Sequence, residues 1–281
     1  MPQDNRFNYS NITSSGNDFD KSISIRYAVT HIIICIGLPL TLMAIYALYS
    51  QVRNDHVAPI HVINLLISDL IQLCCMIVWV ASPKDQKISK IVEVFYLSGL
   101  GASVCFMVCV ALERYLVVAF PLWYRFRRTI KTSVVVCVVV WTVPLVLLLS
   151  AIFWDDVKVI CAIFSVFLLL PFPLLIFFLG GTLKALSASR VPSDEKQRIV
   201  GVLVLVLLIY TLLFMPVIIG LVAEGARSNV TFRNLSVIFV RLSPLADLVL
   251  YVFMRKGTID KLLASVCCCR MNSNDISSSS V

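Results

Sequence analysis

Long apolar runs alternate with short polar clusters along the chain. Seven of these runs carry few charges and reach the length of about 20 residues that lets an α-helix cross the hydrocarbon core of a bilayer. The pattern therefore predicts an all-α membrane protein, a bundle of seven transmembrane helices. The predicted spans are Tyr27 to Tyr49, Val57 to Val80, Ile91 to Phe120, Ser133 to Phe153, Val159 to Leu183, Ile199 to Val222 and Phe232 to Met254.

The composition excludes a soluble globular domain. Hydrophobic residues make up 59% of the 281 residues, charged residues make up 14%, and the mean hydropathy is +0.91, whereas soluble domains are about 45–50% apolar. The net charge of +8 does not indicate nucleic-acid binding, because the basic residues lie between and at the ends of apolar runs rather than on one face. We predict an N-terminal tail over residues 1–26, a transmembrane domain over 27–254 and a C-terminal segment over 255–281.

The distribution of basic residues predicts the orientation. With an extracellular N-terminus, 13 Lys and Arg residues fall in inner segments and nine in outer segments, in agreement with the positive-inside rule. Three glycosylation sequons fit this orientation, since Asn8, Asn11 and Asn229 all fall in outer segments. A fourth sequon, at Asn234, lies close to the predicted membrane. We therefore expect a glycosylated extracellular tail and a cytoplasmic C-terminus.

Six of the ionisable residues in the apolar runs are candidate functional groups, because a charge inside a bilayer is costly. Glu113-Arg114-Tyr115 closes the third run on its inner side, where the carboxylate can hold the guanidinium until a rearrangement frees it. The alternative is that both charged side chains snorkel to the interface. The six residues are Asp69, Glu93, Glu113, Arg114, Arg241 and Asp247.

Together these motifs resemble those of rhodopsin-like, class A G-protein-coupled receptors. Glu113-Arg114-Tyr115 is similar to the family's Asp/Glu-Arg-Tyr motif, and Asp247 to Tyr251 resembles a degraded Asn/Asp-Pro-x-x-Tyr motif. Pro121 to Arg128 is similar to Mas-related receptors, and Ile63 to Leu70 is similar to the branch that holds proton-sensing, lysolipid and nucleotide receptors. Further matches are Asn64 to Asp69 in the second span, Trp141 in the fourth, Pro171 in the fifth and Pro216 in the sixth.

The resemblance implies a plasma-membrane receptor that relays an extracellular ligand signal to a heterotrimeric G protein, with arrestin and receptor kinases as further partners. Outward movement of the sixth helix about Pro216 would free Arg114. The resemblance places G-protein coupling on Glu113, Arg114, Tyr115, Tyr251, Arg125 and Lys196, and the activation switch on Phe214, Pro216, Tyr210 and Pro244.

Several family positions hold other residues. Phe214 stands where the family favours Trp, and the proline expected after Asp247 is absent, with Pro244 one turn upstream. Ser89 occupies the third-helix position of a cysteine that bridges the second outer loop, which leaves Cys161 with no obvious partner. These departures keep open a receptor-like protein that no longer couples.

A sodium site is implied by the residues Asp69, Ser103 and Asp247, which match positions that hold this ion in inactive members of the family. Hard oxygen ligands suit such an ion. Two neighbouring carboxylates repel each other unless a cation or a proton lies between them. A water-filled hydrogen-bond cluster is the alternative. We expect no cofactor beyond this allosteric Na⁺.

An outer ligand cavity is implied by family position at Glu93, Tyr96 and Arg241. Arg241 either pairs with Glu93 as a structural lock or binds an anionic headgroup such as a carboxylate or phosphate. The sequence leaves the ligand open among an anionic small molecule, a lipid, a peptide and protons.

The segment after the seventh span carries membrane and partner signals. Arg255 to Leu263 predicts a short amphipathic helix against membrane lipids. Cys267, Cys268 and Cys269 form a palmitoylation site or remain unmodified thiols. The terminal serines and Val281 suit receptor kinases and a PDZ protein that captures the carboxylate.

An ion-coupled transporter or channel is the main alternative function, with the intramembrane charges as an ion path. That function predicts an internal repeat and paired broken helices, and the sequence shows no such repeat. An enzyme is not expected, because the sequence shows no grouped nucleophile, base and orienting residue and no metal-ligand spacing.

Overall fold

The protein is described by a computed structural model over residues 7–55, 60–81, 86–127, 130–152, 157–187, 193–223, 225 and 229–254. The regular structure in these ranges is α-helical throughout. The helices are α1 (Phe7–Asp55), α2 (Ile60–Ala81), α3 (Gln86–Ala119), α4 (Pro121–Arg127), α5 (Ile130–Ile152), α6 (Val157–Leu169), α7 (Pro171–Ser187), α8 (Ser193–Val222), α9 (Val230–Arg241) and α10 (Ser243–Met254).

Seven helical segments of the described chain are long and apolar enough to cross a membrane, which confirms the predicted seven-helix bundle. Each one overlaps one of the apolar runs. The segments are Ser24–Ser50, Ile60–Ala81, Gln86–Ala119, Lys131–Ser150, Lys158–Ser187, Lys196–Val222 and Val230–Met254.

Two of the spans are interrupted next to a proline. The fifth span consists of α6 and α7, which are separated by a turn at Leu170, directly before Pro171. The seventh span consists of α9 and α10, which are separated by a turn at Leu242, two residues before Pro244. Because proline has no backbone N–H, it removes a helical hydrogen bond and favours a break at these places.

The helices extend beyond the apolar runs at several ends. Helix α1 begins at Phe7, inside the segment predicted as a tail, and α3 begins at Gln86 rather than Ile91. The additional short helix α4 follows the third span. Apolar length marks only the part of a helix that crosses the membrane, whereas backbone hydrogen bonding continues into polar sequence.

Helix α3 lies at the centre of the bundle and packs against α2, α5, α7 and α8. Its side chains Phe106, Met107 and Val110 are fully buried. At Gly101 the contact with α5 is so close that an added Cβ would lie 2.6 Å from the Cβ of Pro144. Small residues at membrane helix crossings allow this approach. Gly101 therefore lets α3 pack closely against α5.

The outer surface of the bundle is apolar. Helix α5 exposes Val135 (62%) and Val146 (61%), and α7 exposes Phe177 (60%). Large continuous apolar surfaces are unfavourable in water but not against lipid. The exterior therefore agrees with a multi-pass membrane protein.

Consecutive spans run in opposite directions, so the bundle has two distinct ends. We call the end that carries Thr30, Trp79 and Tyr96 the cavity end. We call the opposite end, which carries Glu113, Arg114 and Tyr115, the Arg114 end.

Candidate functional site

A cavity of about 740 Å³ opens among the helices at the cavity end. Its lining includes the three residues predicted for the ligand pocket, Glu93, Tyr96 and Arg241. Ser89 and Cys161 also line it, and Cys161 is a free thiol. The volume lies within the range of about 300–1,000 Å³ that small-molecule sites occupy.

Arg241 is held by a hydroxyl and an aromatic ring. Its Nη1 donates a 2.6 Å hydrogen bond to Oγ1 of Thr30, and its guanidinium carbon lies 5.3 Å from the centre of the Trp79 ring. The Thr30 hydroxyl in turn donates to the backbone oxygen of Arg26 at 2.7 Å. Within the described structure Arg241 makes these contacts in place of the predicted pairing with Glu93. Glu93 is exposed at the same cavity.

The three residues predicted for the sodium or proton site lie together in the middle of the bundle. Ser103 Oγ donates to Asp247 Oδ2 at 2.8 Å, and the carboxyl groups of Asp69 and Asp247 interact directly. All three side chains are fully buried. Asp69 Oδ2 and Asp247 Oδ1 accept no hydrogen bond from a described donor. Two carboxyl groups in contact need a cation or a shared proton between them, so the donor set fits a small hard cation.

Gln72 and Ser243 extend this polar cluster, and sequence reasoning missed both. Gln72 is fully buried and its Nε2 lies 3.4 Å from Asp69 Oδ1. Ser243 is fully buried with no hydrogen-bond partner among the described residues, and it lies four residues before Asp247 on the same helical face. The sequence signal for both is a polar, uncharged residue inside an apolar run.

The predicted switch residues Tyr210 and Phe214 stack on each other in the core of α8, with ring centres 4.8 Å apart. Phe172 meets the Tyr210 ring edge-on at 5.1 Å. The Tyr210 hydroxyl donates to the backbone oxygen of Leu168, next to the break before Pro171. The sixth span is thereby joined to the fifth where the fifth is interrupted. Pro216 lies within α8, which continues through it.

At the Arg114 end, the Glu113 carboxylate is held by the short helix α4. Tyr124 donates from its hydroxyl to Glu113 Oε1 at 2.5 Å. Arg114 follows on α3 and is half-buried. The side chain of Arg125, predicted for G-protein coupling, lies outside the described part of the chain.

Tyr115 occupies an aromatic cluster at the same end. Its ring stacks on Phe178 at 5.7 Å and meets Phe177 edge-on at 5.8 Å. Gly181 lies beneath the ring, so close that an added Cβ would stand 2.6 Å from Tyr115 Cε2. The third residue of the tripeptide thus connects α3 to α7.

Arg198 joins α8 to α10 at the Arg114 end, a tie that sequence reasoning did not predict. Its Nη2 donates to the backbone oxygen of Met254 at 2.6 Å. Lys196 lines a smaller cavity of about 290 Å³ between α7 and α8. Tyr251 is buried against the cluster that contains Leu48 and Val110.

Only some of the predicted modification sites lie within the described part of the chain. Cys267, Cys268, Cys269 and the rest of 255–281 lie outside the described residues, as do the side chains of Asn8 and Asn11. Asn229 is exposed and caps α9, accepting hydrogen bonds from the backbone N–H groups of Thr231 (3.0 Å) and Phe232 (3.2 Å). Asn234 is 8% exposed, which explains why its sequon does not suit a glycan.

The sequence of this chain is similar to those of known receptors. The family described as 7 transmembrane receptor (rhodopsin family) matches residues 40–247. G-protein coupled receptor 68 of Mus musculus is 24% identical over 267 residues, covering 80% of this chain and 72% of that receptor. C-C chemokine receptor type 1 of Homo sapiens is 22% identical over 214 residues, covering 66% and 60% of the two chains. Type-1 angiotensin II receptor of Meriones unguiculatus is 29% identical over 117 residues, covering 39% and 33%.

The family match extends from the first span to Asp247. It includes the tripeptide on α3, the polar cluster of Asp69, Ser103 and Asp247, and the prolines of the fifth and sixth spans. This match and the seven helices long enough to cross a membrane support a G-protein-coupled receptor, and neither favours the transporter or channel alternative. The chain belongs to the rhodopsin family of seven-transmembrane, G-protein-coupled receptors.

Proposed function

We propose that this receptor lies in the plasma membrane with its cavity end outside the cell. Ligand binding in the cavity controls a heterotrimeric G protein that docks at the Arg114 end. One observation carries this proposal. The uninterrupted helix α3 bears Tyr96 at the cavity, Ser103 in the polar cluster and Arg114 at the opposite end. About 27 Å of rigid helix joins the first of these residues to the last.

The sixth span is the moving part in this proposal. Helix α8 is tied to the fifth span by Tyr210 and to α10 by Arg198. Pro216 lies within α8, near the cavity, and supplies a hinge. A ligand that favours the outward position of α8 breaks the inner tie and exposes Arg114 to the G protein.

The polar cluster biases this equilibrium. We place an allosteric Na⁺ or a shared proton between Asp69 and Asp247, where it relieves the repulsion of the two carboxylates. The ion holds α2, α3 and α10 together through Asp69, Ser103 and Asp247. Movement of α10 during activation separates these oxygens and releases the cation.

Modification sites and the C-terminal tail complete the proposal. Glycans on Asn8, Asn11 and Asn229, palmitoyl chains on Cys267 to Cys269, and recruitment of arrestin, receptor kinases and a PDZ protein by the C-terminal tail all require an extracellular N-terminus and a cytoplasmic C-terminus. An epitope tag before residue 1 that is stained on intact cells tests that orientation directly.

The coupling proposal is tested with Arg114→Ala in cells that express it and the wild type at matched surface levels. Calcium and cyclic AMP are measured without ligand and with acid, lysolipids, nucleotides and basic peptides. We expect basal or stimulated output from the wild type that Arg114→Ala abolishes. Lys90→Gln, which removes an exposed charge outside the cavity, is the control and should behave as wild type. Equal output from Arg114→Ala and wild type in every condition contradicts coupling through Arg114.

A further inference from the structure

The cavity end carries an excess of positive charge. Of the described residues that line the cavity, three are arginines, Arg26, Arg233 and Arg241, and one is an acid, Glu93. Arg26 and Arg241 are close enough to repel each other. Like charges in a partly dry cavity are unfavourable unless an anion joins them. The charge distribution therefore favours a negatively charged group.

Arg241 has donors left over for such a group. A guanidinium has five N–H bonds, and Arg241 uses one for Thr30. The Thr30 hydroxyl donates its hydrogen to the Arg26 carbonyl. Thr30 therefore orients the guanidinium without neutralising its charge. No carboxylate of a described residue pairs with Arg241. Its remaining donors can form the two-pronged contact that arginine makes with carboxylates and phosphates.

Tyr96 supplies a second donor beside Arg241. It is 5% exposed, lines the cavity, and its hydroxyl has no hydrogen-bond partner among the described residues. The hydroxyl lies within electrostatic reach of the Arg241 guanidinium. Trp79 packs against both, with its ring 4.9 Å from that of Tyr96 and 5.3 Å from the guanidinium carbon. A buried hydroxyl without a partner is costly, and an anionic oxygen would satisfy it.

The rest of the lining is apolar. Away from the arginines the wall consists mainly of aliphatic and aromatic side chains, including Leu97, Leu100, Phe164 and Phe167. If the ligand were a small hydrophilic anion, the apolar lining would remain in contact with water. A ligand that fills about 740 Å³ therefore needs a hydrocarbon body in addition to its charge.

We propose that the cavity binds an amphiphile with one anionic headgroup. Arg241 and Tyr96 hold the headgroup, and the apolar wall holds its hydrocarbon body. The inference deepens the receptor function proposed above and rests on it. Carboxylate and phosphate headgroups share this chemistry, and the experiment separates them.

Binding is measured on the purified receptor in phosphatidylcholine nanodiscs, as the thermal unfolding midpoint against ligand concentration. The probes have the same twelve-carbon chain and different headgroups: dodecanoate, monododecyl phosphate, dodecan-1-ol and dodecylamine. We expect at least one of the two anions to bind at least about tenfold more tightly than the alcohol, and the amine to bind no better than the alcohol. Whichever anion binds more tightly identifies the headgroup.

Variants locate the headgroup. Arg241→Gln should reduce the preference for the anion over the alcohol by about ten- to a hundredfold, and Tyr96→Phe should reduce it by a smaller factor. Because the preference is a ratio within each variant, it does not depend on the stability of the ligand-free protein. Arg241→Lys retains the charge and should retain part of the preference. Lys90→Gln should leave the ratio unchanged.

Two results would overturn the inference: equal binding of anion and alcohol by the wild type, or an unchanged preference in Arg241→Gln. Neither involves a G protein, so the outcome is separate from that of the Arg114→Ala experiment. Anion binding that depends on Arg241 in a receptor without second-messenger output would refute coupling alone. Output that depends on Arg114 in a receptor that ignores both anions would refute the ligand class alone.

Discussion

The Tyr124 hydroxyl donates a 2.5 Å hydrogen bond to the Glu113 carboxylate. The short helix α4 is thereby tied to the residue that precedes Arg114. A hydrogen bond to a charged group contributes about 1.5–3 kcal/mol, enough to shift a two-state equilibrium about tenfold or more.

We therefore expect Tyr124→Phe to raise basal second-messenger output. In the proposed activation Arg114 is freed, and the variant keeps the ring but loses a hydrogen bond that holds the neighbouring Glu113. The measurement is cyclic AMP and calcium without ligand at matched surface expression. Tyr46→Phe makes the same chemical change at a 74% exposed position and should have no effect. Basal output of Tyr124→Phe at or below that of Tyr46→Phe would show that this bond does not favour the resting state.

Arg198 supports a second prediction at the same end. Its bond to the Met254 carbonyl places a cation at the C-terminal end of α10, where the helix dipole favours positive charge. In the proposed activation, outward movement of α8 breaks this bond. Arg198→Ala should raise basal output severalfold, as measured by nucleotide exchange on a G protein in membranes. Gln197→Ala, at the exposed neighbouring position, should match the wild type, and an equal rise in both variants would argue against a specific tie.

Gly181 and Gly180 form a natural pair for testing the packing of Tyr115. A methyl group at Gly181 would stand 2.6 Å from the Tyr115 ring, whereas nothing lies within 4 Å of a methyl group at Gly180. Overpacking of this kind costs about 1–3 kcal/mol, while Gly→Ala in an open helical position gains about 0.5–1 kcal/mol.

Gly181→Ala should therefore lower the thermal midpoint of the purified receptor by several degrees, and Gly180→Ala should leave it unchanged or raise it slightly. Because Tyr115 follows Arg114, G-protein coupling by Gly181→Ala should fall as well. Equal midpoints for the two variants would mean that the Tyr115 ring moves aside without cost.

The polar cluster of Asp69, Ser103 and Asp247 predicts a sodium effect on stability. An ion that binds only the folded receptor stabilises it by an amount that grows with the logarithm of the ion concentration, and that reaches about 1.4 kcal/mol at ten times its dissociation constant. Replacing choline chloride by NaCl at constant ionic strength should raise the thermal midpoint of the wild type. Asp69→Asn should abolish the rise. A midpoint that ignores Na⁺ in the wild type would favour a shared proton over a sodium ion.

The bundle itself was predictable because membrane crossing depends on a local property, the length of an apolar run. All seven spans were recovered, and the breaks at Leu170 and Leu242 adjoin prolines that the sequence displays. The candidate functional residues were predictable for the same reason. A charged residue inside an apolar run can be recognised from the local sequence, without knowledge of its partner. The ends of α1 and α3 were not predictable, because helices continue into sequence that hydropathy scores as polar.

The contact partners of the buried polar side chains depend on the tertiary structure. The sequence offered Glu93 for Arg241, but the guanidinium meets Thr30, 211 residues away, and Trp79. The Tyr210 hydroxyl donates a hydrogen bond to the backbone oxygen of Leu168 on another helix. No sequence pattern predicts which backbone oxygens are free to accept such a bond. Such contacts depend on how each helix is rotated and how closely its neighbours approach. The sequence by itself determined which segments cross the membrane and which groups are costly to bury there, whereas only the packing of the helices decided which of those groups meet.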